Sequence, residues 1–166
     1  MERDCYRTPL EAVVPLIRHL PIDLGYIEPF AGDGALIDHI GYLHETAMCH
    51  DASDIEPRAG YIRRASFEQV RVQSGCLVIS NPPWARGILH AAIEHFGQQA
   101  PTWLLFDADW VHTKQAIPML PMLRKIVSIG RVRWFPESGM TGKDNCSWHL
   151  FDAAAGSACE FVGRQP

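Results

Sequence analysis

The feature that most constrains this chain is an apolar run that two consecutive prolines bring to an end. Residues 76–80, Cys-Leu-Val-Ile-Ser, have the length and composition of a buried strand, and Asn81-Pro82-Pro83-Trp84 follows directly. The prolines have fixed φ angles and no N–H groups, so the carbonyls of Asn81 and Pro82 are not needed in a sheet ladder. The segment is therefore predicted to be a buried strand that ends at a rigid polar site.

The groups at this strand end suit a planar ligand that carries an NH2 group. The side chain of Asn81 and the carbonyl of Pro82 are hydrogen-bond acceptors, and Trp84 adds a broad flat face. Two acceptors beside a stacking surface favour an amine on a flat ring. Taken alone, the tetrapeptide is equally explained by a strand-ending turn in which Trp84 is a core aromatic residue.

A glycine-bearing turn earlier in the chain has the order of a nucleotide-binding unit. Residues 25–28 are predicted to form a short strand, residues 29–34 (Pro-Phe-Ala-Gly-Asp-Gly) a turn, and the helical spacing of apolar residues over 36–43 a helix. This order is typical of the first unit of a doubly wound sheet. Gly32 and Gly34 lack the third glycine of a dinucleotide fingerprint, so the flanking elements carry this interpretation.

An acidic residue follows at the distance that this kind of sheet predicts. A second strand is expected near residues 46–50, and Asp54 lies 20 positions after Gly34. Doubly wound folds place there the carboxylate that accepts hydrogen bonds from ribose hydroxyls. Asp51 is the competing candidate, and the apolar neighbour Ile55 favours Asp54. Ser66-Phe67 is expected at the edge of a third strand.

The outer parts of the chain carry further elements. Thr8-Pro9-Leu10-Glu11 predicts a capping box at the start of a helix that Pro15 should kink or split. Residues 88–96 predict an amphipathic helix and residues 102–106 a fifth strand, after which Asp107 and Asp109 are expected to cap a turn. Residues 124–135 and 147–151 are the last strand candidates. The long polar loop between them, 136–145, is of a kind that is often functional.

Composition limits the class of protein. With 166 residues, 47% of them hydrophobic, one domain over residues 1–166 is expected, with residues 153–166 as a tail that frays. Apolar stretches stay well below the roughly 20 residues that span a bilayer, and the first residues lack the order of a signal peptide, so a cytoplasmic location without a membrane partner is expected. The five cysteines form no C-x-x-C pair and predict reduced thiols, and the eight histidines suggest no metal site.

Charge gives a mixed indication about nucleic acid. The formal net charge of −4 argues mildly against tight nonspecific binding, because phosphate contacts supply most of that affinity. Local excesses of positive charge are nevertheless present, with four arginines against Glu68 over residues 58–71 and five basic residues against Glu137 over residues 124–143. Basic patches on an acidic body are therefore expected.

Together the motifs resemble the S-adenosylmethionine-dependent amino-methyltransferases that modify adenine N6 or cytosine N4. The resemblance rests on residues 6–9, residues 28–34, Asp54-Ile55 and above all Asn81-Pro82-Pro83-Trp84, and it extends over residues 6–152. Similar small enzymes occur in bacteriophages and prophages. The implied fold is a Rossmann-like α/β class I methyltransferase, a mostly parallel doubly wound sheet with an antiparallel C-terminal hairpin.

The resemblance implies S-adenosylmethionine as the cofactor. The turn at Phe30, Gly32 and Gly34 would receive its methionine part, Asp54 its ribose, and Ile55 and Phe67 its adenine. The acidic residue that the family often has near the adenine is absent or replaced by Ser66. The full set implied in cofactor binding is Tyr6, Thr8, Glu28, Phe30, Gly32, Gly34, Asp54, Ile55, Phe67 and Asn81.

The resemblance also implies how the target is held. Asn81 and the Pro82 carbonyl would accept hydrogen bonds from the target NH2, Pro83 completes the catalytic motif, and Trp84 would stack on the base. The residues implied in substrate contact are Trp84, Arg86, Arg133 and Lys143. No segment is long enough for the separate recognition region of sequence-specific members, so relaxed sequence preference is expected.

The substrate remains open at this stage. DNA adenine N6 is favoured, with RNA, cytosine N4 or a protein glutamine as alternatives that keep the same chemistry. An alternative of another class is a noncatalytic binding subunit with a methyltransferase fold. The protein is expected to act as a monomer or a homodimer.

Overall fold

The structure, a computed structural model, describes residues 6–135 and 140–165. Within them, one 8-stranded sheet is flanked by α-helices and short 3₁₀ turns. The strands are β1 (Gly25–Glu28), β2 (Met48–Asp54), β3 (Arg63–Arg64), β4 (Leu77–Ser80), β5 (Thr102–Asp107), β6 (Leu123–Arg131), β7 (Asn145–Phe151) and β8 (Glu160–Val162). The helices are α1 (Leu10–Ile17), α2 (Ala35–Leu43) and α3 (Arg86–Gly97), and the 3₁₀ turns are Phe67–Gln69, Ala108–His112, Lys114–Ala116 and Leu120–Met122.

The sheet is mostly parallel and reverses at one end. Its strand order is β3-β2-β1-β4-β5-β7-β6-β8. The first five strands pair in parallel, whereas β7 is antiparallel to both β5 and β6. The predicted mostly parallel sheet with an antiparallel C-terminal hairpin is therefore confirmed. The carboxyl ends of β1, β2, β4, β5 and β6 meet at one edge.

Helices cover both faces of the sheet, and β5 shows how one strand serves both layers. Trp103 and Leu105 pack into the core beneath α1 and α2, whereas Leu104 and Phe106 face the core beneath α3. All four side chains are buried because successive residues of a strand point to opposite faces. A strand covered on both faces reads as a continuous apolar run rather than an alternating one.

The region around β2 and β3 differs in detail from the prediction. β2 continues to Asp54, so this residue ends the strand instead of following it. The third strand is the short pair Arg63–Arg64 at the sheet edge, and Ser66 begins a 3₁₀ turn with a capping box to Gln69. Two charged residues are too few to show any periodicity, so the sequence does not predict this strand.

The first helix begins without the predicted capping box. Pro9 occupies the N-cap position, and no side chain caps the helix. The Thr8 hydroxyl instead accepts a hydrogen bond from Asn81, and Glu11 accepts one from the backbone N–H of Arg133 at 2.9 Å. Pro15 does not split α1, whose buried face of Ala12, Val13 and Leu16 packs on the sheet. The side chains of Thr8 and Glu11, which would form a local cap, thus bind residues that are distant in the sequence.

The tail, which was expected to fray, carries the strand β8. Residues 160–162 pair in parallel with β6, and Lys125 forms an ion pair with Glu160 at 2.8 Å. Because this strand has three residues in a stretch of small ones, its apolar pattern is too short to read. The described cysteines Cys49, Cys76, Cys146 and Cys159 are free thiols.

The described ranges contain neither a metal-binding cluster nor a membrane-spanning helix. No group of three or more His, Cys, Asp or Glu side chains there is arranged to hold a metal ion. None of the helices in those ranges has the length and apolar character needed to cross a membrane.

Candidate active site

A cavity of ≈ 630 Å³ opens at the carboxyl ends of the central strands. This volume is within the usual range for small-molecule sites. Its walls bring together segments that are far apart in the sequence and include nearly the whole predicted cofactor set. The lining residues include Tyr6, Thr8, Glu28, Phe30, Gly32, Asp54, Ile55, Phe67, Asn81 and Pro83. Gly34, Pro82 and Trp84 are not among the lining residues and lie directly beside them in the chain.

The glycine turn between β1 and α2 has a shape that side chains do not allow. Gly32 and Gly34 have φ angles of 54° and 88°, in the left-handed region that glycine adopts without steric cost. The N–H of Gly34 donates to the Ala31 carbonyl at 2.7 Å, and the Gly32 carbonyl accepts from the N–H of Arg58 at 2.9 Å. These bonds hold the turn in one conformation against the cavity.

Asp54 ties the end of β2 to this turn. One carboxylate oxygen accepts the N–H of Gly32 at 2.9 Å and the other accepts the N–H of Glu56 at 2.7 Å. Each oxygen can accept a further hydrogen bond, since a carboxylate offers about four acceptor positions. The competing candidate, Asp51, is instead paired with Arg63 at 2.6 Å and does not line the cavity. The geometry therefore favours Asp54 as the carboxylate that serves this site.

Glu28 is a buried carboxyl group on the cavity wall. It is 1% exposed, and one of its oxygens accepts a hydrogen bond from the Ser80 hydroxyl. The other oxygen has no hydrogen-bond partner among the described residues. Burial raises the pKa of Glu28 to about 8, and the charge of Asp54 adds to this, while the bonds from Ser80 and the Phe30 N–H oppose it. A cation beside the unpaired oxygen would favour the ionised form.

Aromatic and acidic side chains form the far end of the cavity. The rings of Phe30 and Phe67 are 5.1 Å apart at 34°, and Ile55 lines the cavity in an exposed position. The Ser66 hydroxyl donates to Glu68 at 3.0 Å, and both residues also line the cavity. The sequence analysis did not identify this carboxylate, because Glu68 lies two positions past the place where the family's acidic residue was sought.

Asn81 is oriented by the segment that precedes α1. Its side-chain NH2 donates to the Thr8 hydroxyl at 3.1 Å and to the Tyr6 carbonyl at 3.4 Å. The hydrogen bonds of the described residues leave its side-chain oxygen without a donor. The amide is thus held by its nitrogen, and its acceptor end is left for a ligand.

Trp84 does not face the cavity as a free stacking surface. It is partly buried against the cores on both faces of the sheet, and its ring meets Trp134 edge to face at 5.7 Å and 81°. Trp134 in turn lies 5.7 Å from Tyr6, which is 5.5 Å from Phe135. We call Tyr6, Trp84, Trp134 and Phe135 the aromatic cluster.

The sequence analysis missed Trp134 and Phe135. They follow the carboxyl end of β6, and this strand runs parallel to β5 because both are antiparallel to β7. The sequence did contain one indication of this pair, because two aromatic residues stand at the end of a strand candidate and just before a long polar loop. It could be recognised only with the direction of β6 known, since that direction decides which edge of the sheet the pair reaches.

The three predicted cationic contacts are not gathered at the cavity. Arg86 lies 3.6 Å from Asp107, which also caps the turn after β5 through the N–H of Asp109, as predicted. Lys143 is exposed and lines neither this cavity nor a second one of ≈ 300 Å³, which Arg133 does line. Of the predicted functional loop, residues 136–139 lie outside the described residues.

Comparison with known proteins gives a fold. Neither the protein-family models nor the curated protein sequences match the chain. Among solved structures, the 23S rRNA methyltransferase ErmE matches with a TM-score of 0.58 and 14% identity, over 93% of this chain and 72% of that one. The methyltransferase subunit of a type I restriction-modification system from Streptococcus thermophilus has a TM-score of 0.59 and 8% identity, over 98% and 48%.

A third match, from Listeria monocytogenes, is named a putative class I S-adenosylmethionine-dependent methyltransferase. It has a TM-score of 0.57 and 8% identity, over 95% of this chain and 63% of that one. The chain thus spans less than two thirds of the second and third of these structures. At sequence identities this low, the structural matches establish the fold alone. The chain has the α/β fold of the class I S-adenosylmethionine-dependent methyltransferases.

Proposed function

We propose that this protein is an S-adenosylmethionine-dependent methyltransferase that methylates an exocyclic amine, namely adenine N6 in DNA, with relaxed sequence preference. The observation that carries this proposal is the orientation of Asn81. Its NH2 is bound by Thr8 and Tyr6, and its oxygen remains an open acceptor at the end of β4. An amine has hydrogens to donate, so this acceptor suits it as the nucleophile.

The residues of the large cavity fit S-adenosylmethionine. The unpaired oxygen of buried Glu28 suits the ammonium of the methionine part, and Asp54 has acceptor positions left for ribose hydroxyls. Phe30, Phe67 and Ile55 supply apolar surface for an adenine ring. The cofactor, when bound, supplies an electrophilic methyl group on a positively charged sulfur.

Asn81 and Pro82 activate the amine without a strong base. The lone pair of an exocyclic amine is delocalised into its ring. Acceptors on its two hydrogens, the Asn81 side-chain oxygen and the Pro82 carbonyl, draw the nitrogen toward a tetrahedral geometry and localise that pair. No backbone hydrogen bond among the described residues uses the Pro82 carbonyl, which agrees with the role proposed for it.

The aromatic cluster provides the place for the target base. In a duplex the target nitrogen is stacked and paired, so the base must leave the helix at a cost of a few kcal/mol. Trp84 contributes as one member of the cluster, because its edge-to-face contact with Trp134 fixes the plane of its ring. Tyr6 connects the cluster to the cavity, since it lines the cavity and contacts Trp134.

Labelled methyl transfer to DNA, RNA and protein, followed by nucleoside analysis, tests the substrate. We expect N6-methyladenine in DNA, spread over many sequence contexts. Label that appears in RNA, in cytosine or in glutamine, with no N6-methyladenine in any DNA, would overturn the DNA assignment. Calorimetry with S-adenosylmethionine tests the activity class, because a noncatalytic subunit that has lost the site binds no cofactor.

A further inference from the structure

A second cavity, of ≈ 300 Å³, has three arginines among its seven lining residues. It lies where the end of β6, the start of α1 and the end of the chain meet. Its lining residues are Glu11, Ile129, Arg131, Val132, Arg133, Thr141 and Arg164. Three guanidinium groups and one carboxylate give the cavity an excess of positive charge.

The backbone of β6 is shaped to admit Arg164. The register with β7 shifts between Ser128 and Gly130, and Gly130 has a φ of 78°. A Cβ atom at Gly130 would lie 2.8 Å from Nη1 of Arg164 and 3.1 Å from its Cζ. The glycine thus leaves the space in which the side chain of Arg164 crosses the strand, after β8 has anchored this part of the chain.

The opposite wall is also held in place by backbone contacts. The N–H of Gly142 donates to the Val132 carbonyl at 2.8 Å, which fixes the neighbouring Thr141 at the cavity. Glu11 accepts the backbone N–H of Arg133 and so holds this residue by its main chain, leaving its guanidinium for other contacts. Backbone hydrogen bonds and the close approach of Arg164 to Gly130 therefore hold the walls of the cavity in place.

The arginines of this cavity outnumber its one carboxylate. The ion pairs formed by the described residues include none from Arg131, Arg133 or Arg164. Buried Val132 and Ile129 form an apolar floor, and charge interactions are stronger beside such a surface than in open water. Like charges held close together repel, so a bound anion with several oxygens would stabilise the arrangement.

The chain links this cavity directly to the aromatic cluster. Arg133 directly precedes Trp134, the member of the aromatic cluster that contacts both Trp84 and Tyr6. Glu11 lies three residues after Thr8, which binds Asn81. The segments that line this cavity therefore also carry Trp134 and Thr8, so an anion bound by the arginines would be held by the same parts of the chain.

We propose that Arg131, Arg133 and Arg164 form a subsite for a backbone phosphodiester of the nucleic acid strand whose base enters the active site. This inference rests on the proposed function. Phosphate contacts position a strand without reading its sequence, which agrees with the relaxed sequence preference of the proposed function. The local positive cavity also explains how a chain of net charge −4 could bind a polyanion.

The test measures binding of a fluorescent DNA duplex, and of an RNA of the same sequence, at several salt concentrations. The variants are Arg131→Gln and Arg164→Gln, both at exposed positions. Arg18→Gln is the matched control, because it removes the same charge from an exposed arginine outside the cavity. Thr141→Glu keeps all three arginines and places a carboxylate among them.

We expect each of the two arginine variants to weaken DNA binding several-fold and to reduce the slope of log affinity against log salt by up to about 0.9, the value for complete loss of one phosphate contact on a duplex. Thr141→Glu should weaken binding at least as much, and Arg18→Gln should leave the slope unchanged. Cofactor affinity should be the same in all of them.

The outcomes separate this inference from the proposed function. If the wild-type protein binds cofactor and DNA and the cavity variants behave like Arg18→Gln, the phosphate subsite is wrong and the proposed function stands. If neither nucleic acid binds while cofactor does, the subsite is wrong and methylation must be sought on another substrate. If cofactor does not bind, the proposed methyltransferase activity itself fails.

Discussion

The cavity of ≈ 630 Å³ has two ends that are built in different ways. We call the part around the glycine turn and Asp54 the cofactor end, and the part around Asn81 and the aromatic cluster the target end. At the cofactor end, polar groups are fixed through backbone hydrogen bonds, as Asp54 is by Gly32 and Glu56. At the target end, Asn81 stands beside aromatic rings that hold one another, and Tyr6 and Phe135 are 44% and 57% exposed.

This difference shows which parts of the site are rigid and which adapt. Backbone bonds within a glycine turn leave little freedom, whereas exposed rings gain only about 0.5–1.5 kcal/mol from each pair. Under the proposed function, the cofactor end is therefore suited to one ligand, and the target end would adjust to a base presented in different sequence contexts. Substitutions at the two ends should accordingly affect different measured quantities.

Asn81→Ala should produce the largest effect and separate the two ends most clearly. Removing one acceptor from the reacting amine should lower methyl transfer by about 10²–10³-fold or more, as loss of a transition-state hydrogen bond does elsewhere. Cofactor affinity should change little, because the proposed function assigns the side-chain oxygen of Asn81 to the target amine, although the family resemblance also placed this residue in the cofactor set. Single-turnover transfer and calorimetry measure the two quantities.

Thr8→Val is the matched variant, because it removes the acceptor that orients the Asn81 amide and keeps the amide itself. It should lower transfer by a smaller factor than Asn81→Ala. If transfer and cofactor affinity fall together in Asn81→Ala, Asn81 belongs to the cofactor end and the comparison above is wrong.

Asp54→Ala tests the cofactor end. We expect cofactor affinity to fall about 10–100-fold, since hydrogen bonds to a charged group contribute about 1.5–3 kcal/mol and the N–H of Gly32 loses its acceptor. Asp51→Ala is the control, because this carboxylate pairs with Arg63 outside the cavity. Equal losses of affinity in the two variants, measured by calorimetry, would show that the ribose carboxylate has been misplaced.

Glu28 predicts a pH dependence of cofactor binding. Because its pKa is raised to about 8, the carboxyl is mostly protonated between pH 6 and 7.5, and a bound ammonium would drive its ionisation. Cofactor affinity should therefore rise with pH over this window, by at most about tenfold per pH unit, with release of a proton. Calorimetry in buffers of different ionisation heat measures that release.

In Glu28→Gln this pH dependence should disappear, since the amide cannot ionise. An equal proton release in the variant would mean that another group faces the ammonium, and the raised pKa of Glu28 would then have no part in binding.

The same carboxyl predicts the pH dependence of stability without ligand. Its pKa rises from 4.5 in the unfolded chain to about 8 in the folded one, so the folded state retains a proton that the unfolded state loses. The free energy of unfolding should fall as the pH rises from 4.5 to 8, by at most about 1.4 kcal/mol per pH unit. Chemical denaturation should show a flatter profile for Glu28→Gln; identical profiles would exclude the effect.

Trp84→Phe should have the smallest effect, and it tests the target end. A ring remains in place but loses part of its contact with Trp134, so we expect KM for the nucleic acid to rise about 2- to 5-fold, within the range for one aromatic pair. Cofactor affinity should stay unchanged. Trp103→Phe is the control, since this buried residue of β5 should change stability and leave KM alone. An altered cofactor affinity in Trp84→Phe would show that the two ends are not independent.

Much of the cofactor end could be predicted from the sequence, because its parts are local. The glycine turn, the buried strand before Asn81 and the spacing from Gly34 to Asp54 each depend on neighbours within one β-α-β unit. The predicted bounds of β2 and β3 were less accurate than the predicted order of elements. The two or three residues at the end of a strand, or in a strand as short as β3, are too few to show a periodicity. Glu68 was missed because the 3₁₀ turn of Phe67–Gln69 brings a residue two positions past Ser66 to the cavity as well.

The target end could not be predicted to the same extent, since it depends on contacts between distant segments. Tyr6, Trp84 and Trp134 meet because the chain before α1 and the end of β6 reach the same edge of the sheet. The pairing of Arg86 with Asp107 and the crossing of Arg164 over Gly130 are long-range contacts of the same kind.

The sequence by itself determined a proline-ended polar motif after a buried strand, a glycine turn and an acidic residue at the right spacing, since these follow from backbone geometry and periodicity over short distances. Only the tertiary structure decided that Asn81 is turned by Thr8, that Trp84 is one member of an aromatic cluster, and that three arginines share a second cavity. Those facts depend on strand direction and packing between residues as far apart as 6 and 134, which local patterns do not encode.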